Sequence, residues 1–156
     1  MLARGLSSDQ DQPINIEADR ATLREQEGIS TYEGNVYVSQ GTLKLHGDIM
    51  TVYTPGNQLE KIILLGKPAT FVQRPDGRDE DLHAESTQME YRAADERIIL
   101  TGGARVWQTD GHEFRSEKII YNIKSNTVNA GSDTGGGRVH ITLQPKQRES
   151  REEDKP

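Results

Sequence analysis

Twenty-five aspartates and glutamates and four histidines are the groups of this 156-residue chain that could do acid–base or metal chemistry. A carboxylate pair such as Asp48 and Glu85 could hydrolyse a glycosidic bond, one protonating the leaving oxygen and the other serving as base or nucleophile. The acids recur too regularly for that. Asp19, Asp48, Glu85 and Glu117 each follow a small residue, Ala18, Gly47, Ala84 and Ser116, and each leads to an apolar one, Leu23, Tyr53, Tyr91 and Tyr121. Their spacings are 29, 37 and 32 residues. A catalytic acid should break a repeat, whereas a structural corner or a solvated face should share it. His46, His83, His112 and His140 lack the short spacings of metal ligands, so no metal site is expected. Gly135-Gly136-Gly137 is followed by no P-loop lysine and serine and reads as a turn. Serines 30, 39, 86, 116 and 125 have no nucleophile-elbow context. Neither an enzyme nor a cofactor is expected.

The elements that carry these residues are strands. Apolar and polar residues alternate in Ile14-Asn15-Ile16-Glu17-Ala18, Val36-Tyr37-Val38, Leu43-Lys44-Leu45 and Val139-His140-Ile141-Thr142-Leu143, the period of a strand with one buried face. Turn signals divide them at Glu27-Gly28, Gln40-Gly41, Pro55-Gly56-Asn57, Pro75-Asp76-Gly77, Asp110-Gly111 and Lys124-Ser125-Asn126. Ala93 to Arg97 contains helix formers but is too short for a helix and reads as a further turn. A second series interleaves with the acids, at Tyr32-Glu33-Gly34-Asn35-Val36, Leu64-Leu65-Gly66-Lys67-Pro68-Ala69, Leu100-Thr101-Gly102-Gly103-Ala104 and Val128-Asn129-Ala130-Gly131. Pro68 fits the first position of a strand Ala69 to Val72, where its missing donor is tolerated. Two series, each near 30 residues, predict an all-β chain of mostly antiparallel short strands in stacked repeats, a β-solenoid or long open roll.

Composition narrows the partners. Hydrophobic residues make up 32% and the net charge is −6, with a mean hydropathy of −0.79, so the core must be long and thin. Lysine and arginine are scattered, which leaves nothing for a nucleic-acid backbone to bind. No stretch approaches the ~18 apolar residues of a membrane-spanning helix. Residues 1–11 read as a remnant or linker, 12–144 as one domain, and 145–156, almost wholly charged and polar, as a disordered tail. The start lacks the apolar core of an export signal; if the protein is exported, its leader is absent from this sequence.

The runs Gln12 to Asp19, Tyr32 to Val36 with Gln40-Gly41, Gly66 to Phe71, Leu100-Thr101-Gly102, Ile119-Ile120-Tyr121 and Val139 to Pro145 resemble, in order, the periplasmic lipopolysaccharide transport protein A family. The resemblance covers about residues 10–146. It implies a twisted open β-jellyroll in the periplasm whose ends join head to tail, bridging inner-membrane and outer-membrane transport components while lipopolysaccharide acyl chains move through the interior. It further implies that Ile14, Ile16, Phe71 and Tyr91 line the groove; period-two parity adds Val36, Val38, Leu45 and Met89. Family members often carry an aliphatic residue two positions after that tyrosine, where this chain has Ala93.

Physical reasoning supports a lipid cargo. Each methylene moved from water into an apolar groove gains about 0.8 kcal/mol. Lipid A phosphates and this chain are both anionic, so the headgroup should stay in solvent. Neither terminal strand contains a proline or a polar cap. Ile14, Ile16 and Ala18 at one end and Val139, Ile141 and Leu143 at the other could each pair with another chain by β-augmentation. A contact between two different surfaces does not close, so it builds linear oligomers. A structural filament with a dry interior is the alternative expectation.

Overall fold

The alternation is realised as ten antiparallel strands in a single open sheet, in a computed structural model that describes residues 11–74, 79–122, 124–125, 127–131 and 137–145. The strands are β1 (Asn15–Glu17), β2 (Arg20–Arg24), β3 (Ile29–Gln40), β4 (Leu43–Tyr53), β5 (Lys61–Gln73), β6 (Leu82–Arg92), β7 (Arg97–Gln108), β8 (Glu113–Asn122), β9 (Thr127–Ala130) and β10 (His140–Thr142). The order is β1-β3-β4-β5-β6-β7-β8-β10, with β2 also on β3 and β9 also on β8. Expected turns at Gln40-Gly41, Asp110-Gly111 and Ala93 to Glu96 join neighbours, and Pro55–Asn57 forms a single 3-10 turn. The turn at Pro75-Asp76-Gly77, Gly135-Gly136, and the terminal segments 1–10 and 146–156 lie outside the described residues.

The repeat recurs in the structure as a strand corner. All five ladders from β3–β4 to β7–β8 shift register midway, between Glu33 and Val36, His46 and Ile49, Leu65 and Ala69, Glu85 and Gln88, and Thr101 and Ala104. Gly34, Gly66 and Gly102 of the glycine series and Asp48, Glu85 and Glu117 of the small-acid series fall at or beside these shifts, whereas Ala18-Asp19 lies between β1 and β2 and Gly131 follows β9. A bulge bends its strand and exaggerates its twist. Aligned across the sheet, the bulges fold it along one line into two wings. The wings share one hydrophobic core, with Val38 and Phe71 from one and Met50, Leu64, Met89, Leu100 and Ile119 from the other. Small residues occupy the inner side of the fold line, where Ala69 pairs with Ser86 and Ala104 with Ser116; all four are buried.

The corner acids and hydroxyls satisfy backbone groups that the bulges free. The Ser86 hydroxyl donates to the Gln88 carbonyl at 2.8 Å and the Gly103 N–H to Glu117 Oε1 at 3.4 Å, while the Asn35 side-chain amide donates to Asp19 Oδ2 at 3.2 Å and ties the first corner side chain to side chain. Pro68 lies inside β5 at its corner, not at the start of a strand. Residues 66–68 fall in the gap of the ladder, so the missing donor interrupts no pairing.

Gly102 shows why the series contains glycine. Its φ is +93°, and an added Cβ would collide with the Thr87 hydroxyl, which donates to the Thr101 carbonyl across the same corner. Gly102→Ala is therefore expected to cost about 1–3 kcal/mol, read as a lower urea midpoint with an unchanged slope.

Candidate functional site

Cross-strand register decides which side chains share a face, because residues directly opposite in an antiparallel ladder point the same way. In one wing Ile16 lies opposite Val38, Val38 opposite Leu45, Leu45 opposite Phe71 and Phe71 opposite Ala84. The row continues through Val106 and Phe114 to Ile141. It crosses the whole sheet from β1 to β10. In the other wing Tyr32, Met50, Leu64, Met89, Leu100, Ile119 and Ala130 form a second row. Two residues further out, Ser30, Val52, Ile62, Tyr91, Ile98, Tyr121 and Val128 form a third along the margin of that wing. No acid, lysine or arginine occurs in these three rows. They make a continuous neutral, largely apolar inner face, deepest at the fold line and open along the margins.

The opposite face is polar. Glu17, Tyr37, His46, Thr70, Glu85, Arg105, Arg115 and His140 form the row that alternates with the first one. Glu85 faces Arg105 there, 4.0 Å away, and Asp48 is exposed at the β4 corner. Trp107 is covered on this side by His83, stacked at 5.1 Å, and by the Arg105 guanidinium at 3.9 Å.

Glu113 binds Arg105 at 3.1 Å and also accepts a hydrogen bond from Arg115. The hydrogen bonds from Arg105 and then Arg115 hold its carboxyl below the usual range. A depressed carboxyl pKa stabilises the fold above the unfolded value, about 4.3, and the contribution is lost as pH falls through the folded one. Glu113→Gln should thus lower stability at pH 7 by about 1 kcal/mol or less. The difference from the native chain should narrow as pH falls below the unfolded value and the carboxylate protonates, as urea midpoints over a series of descending pH would show.

The residues singled out from sequence are brought to one face. Val36, Val38, Phe71 and Met89 are buried in the shared core, and Leu45 packs against it. Ile16 lies in β1, Tyr91 is half-buried near the end of β6, and Ile14 stands just before β1. Burial, and then the nearby Glu96 carboxylate, push the Tyr91 phenol up. Ala93, where the resemblance departs, lies in the β6–β7 turn.

Sequence parity missed much of the second wing, including Met50, Leu64, Leu100 and Ile119. Leu64 and Phe71 are both buried although they stand an odd number of positions apart in the chain, because the bulge between them resets the alternation. Glycine and proline at 66–68 were the available signal.

Both sheet ends are open. Among the described residues, β1 and β2 on the first edge each pair only with β3, and β9 and β10 on the last each pair only with β8. Exposed large apolar residues collect there: Ile14 is 62% exposed and Leu23 61%, against 54% for Ile141 and 68% for Leu143. The strands are shorter than the alternation suggested. Ala18 falls between β1 and β2, and Val139 and Leu143 flank β10.

Comparison with known proteins agrees with this architecture. The family model described as LptA/(LptD N-terminal domain) LPS transport protein matches residues 15–127. The lipopolysaccharide export system protein LptA of Escherichia coli K12 is 40% identical over 148 residues, 93% of this chain and 78% of that protein. The export system protein LptH of Pseudomonas aeruginosa is 34% identical over 154 residues, 94% of this chain and 87% of that one. The crystal structure of P. aeruginosa LptH, described as the LptA-homologous periplasmic component of a lipopolysaccharide transport device, superposes with a TM-score of 0.78 at 35% identity. It covers 88% of this chain and 99% of that structure. With an open, folded antiparallel sheet and a match over most of its length, this chain belongs to the LptA/LptD N-terminal domain family of lipopolysaccharide transport proteins.

Proposed function

We propose that this protein is a non-enzymatic periplasmic carrier of lipopolysaccharide that shelters the acyl chains between its wings and joins further copies, and membrane-bound transport components, through its open edges. The observation that carries the reading is the inner face. Three rows spanning the sheet contain no acid, lysine or arginine, although charged residues make up 28% of the chain. Acyl chains placed there gain the hydrophobic transfer energy, while the anionic sugar phosphates stay outside an anionic protein.

Ile14, Ile16, Val36, Val38, Leu45, Phe71, Met89 and Tyr91 are the proposed lipid contacts. Edge pairing is proposed to use Ile14, Ile16 and Ala18 on one copy and Val139, Ile141 and Leu143 on the next. Such a joint would place Ile141 beside Ile16 and carry the first inner row from copy to copy. Support comes from the sides of β1 and β10 that pair with no other described strand and from the exposed apolar residues at these edges.

A photo-crosslinking residue at Ile16, Phe71 or Tyr91 should label with purified lipopolysaccharide, whereas the same probe at Glu17 or Thr70, in the outward row, should not. Equal labelling of the two sets would remove the inner-face assignment. Absence of labelling throughout would favour a structural filament with a dry interior.

A further inference from the structure

One inner row is not apolar. Beyond the row of Val38 and Phe71, at the margin formed by the β3–β4, β5–β6 and β7–β8 turns, Gln40 pairs with Leu43, and Gln73 and Gln108 both pair with Leu82. Gln73 lies one position beyond the Lys44–Val72 pair, in line with Leu43. Glutamine thus alternates with leucine along the margin, on every second strand. With strands about 4.8 Å apart, the amides recur at steps of about 9.6 Å. The Gln40 amide donates to the Gln12 carbonyl at 3.1 Å. Those of Gln73 and Gln108 bond to no other described residue, yet Gln73 is only 5% exposed. Their amide atoms are not sealed from water, so they can bond a ligand at the margin, and Leu43 and Leu82 show that the row accepts leucine.

Resting on the carrier reading above, we propose that Gln73 and Gln108, in line with Gln40, form a hydrogen-bonding track for the neutral junction of an acylated lipid. That junction is the amide or ester carbonyl between its chains and its sugar. The chemistry of the margin selects this part of the ligand. The N–H groups of a primary amide donate to a carbonyl oxygen. Arg74, the cation next to Gln73, is bound to Asp81 at 2.8 Å, so a phosphate there would have to displace that carboxylate. Chains buried below Gln73, against Phe71 and Ala84, would bring their first polar group to the level of the amide. Repetition on alternate strands lets one junction be handed along the sheet without being held tightly at any point.

The test compares two neutral amphiphiles of equal chain length, an N-dodecanoyl-N-methylglucamine, with an amide at the junction, and dodecyl glucoside, with an ether. Affinity is measured by tryptophan-independent titration calorimetry on the full chain. The native protein should prefer the amide by about threefold to tenfold, the range of one net hydrogen bond. Gln73→Leu with Gln108→Leu should abolish that preference while dodecyl glucoside binds as before, which also shows that the variant is folded. Gln73→Met with Gln108→Met should behave the same way. A preference that survives in both variants, or is absent from the native chain, overturns the track while leaving the carrier reading intact. Failure of the native chain to bind either amphiphile or lipopolysaccharide overturns both.

Discussion

A glutamate at Ile16 should leave the chain folded but weaken its self-association by on the order of 100-fold, since an unpaired carboxylate in a desolvated apolar contact costs several kcal/mol. Ile16 is 38% exposed in the single chain, so the substituted side chain reaches water until another edge covers it. In the proposed joint it would lie beside Ile141 of the next copy, within an apolar row. Sedimentation velocity over a concentration series reads the effect directly. Ile141→Lys alone should be defective as well, and a mixture of the two variants should recover part of the association, because the new charges then meet. Unaltered assembly by Ile16→Glu would show that the copies join through some other surface.

Ile119→Ala should lower stability by about 2–5 kcal/mol, the usual range for removing a large aliphatic side chain from a close-packed core. Ile119 is 1% exposed and opposite Leu100, immediately past the β8 corner. Its neighbour Ile120 points to the outer face, paired with Ile99, and Ile120→Ala should cost about 1 kcal/mol or less. The contrast tests the parity set by the corner, since without it Ile120 would share a face with Phe114 and Ser116. Urea midpoints of the two variants suffice. Equal losses would place the break in alternation elsewhere in β8.

These two experiments address different links. The first asks whether exposed strand edges join copies, and the second whether the bulges put the intended residues inside. Gly102→Ala tests the backbone that makes a bulge possible, independently of what the interior holds.

The antiparallel all-β character, the turns at Gln40-Gly41 and Asp110-Gly111, the open edges and the family were legible in the sequence. The reason is that each rests on local patterning or on an ordered series of short runs. Alternation in Val36-Tyr37-Val38 fixes a face wherever a strand is regular, and Gly41 supplies the positive φ, 60°, that its turn requires. The interleaved glycine and small-acid series were also visible, and one reading of the acids, as structural corners, agrees with their position. What they did physically was not visible. A corner and a boundary between stacked modules look alike in one dimension, and only the aligned register shifts show that the sheet is folded along a single line.

Tertiary structure alone decided which residues face inward beyond each corner. Period-two parity carries no information across an inserted residue, so Leu64 rather than Leu65, and Ile119 rather than Ile120, became core only when the ladders on both sides of the bulge were paired. The same pairing aligned Gln40, Gln73 and Gln108. More than 30 residues separate each from the next in the chain, and as single glutamines beside turns they carry no signal. Their common margin arises because β3, β5 and β7 all run the same way, ending in turns on the same side of the folded sheet.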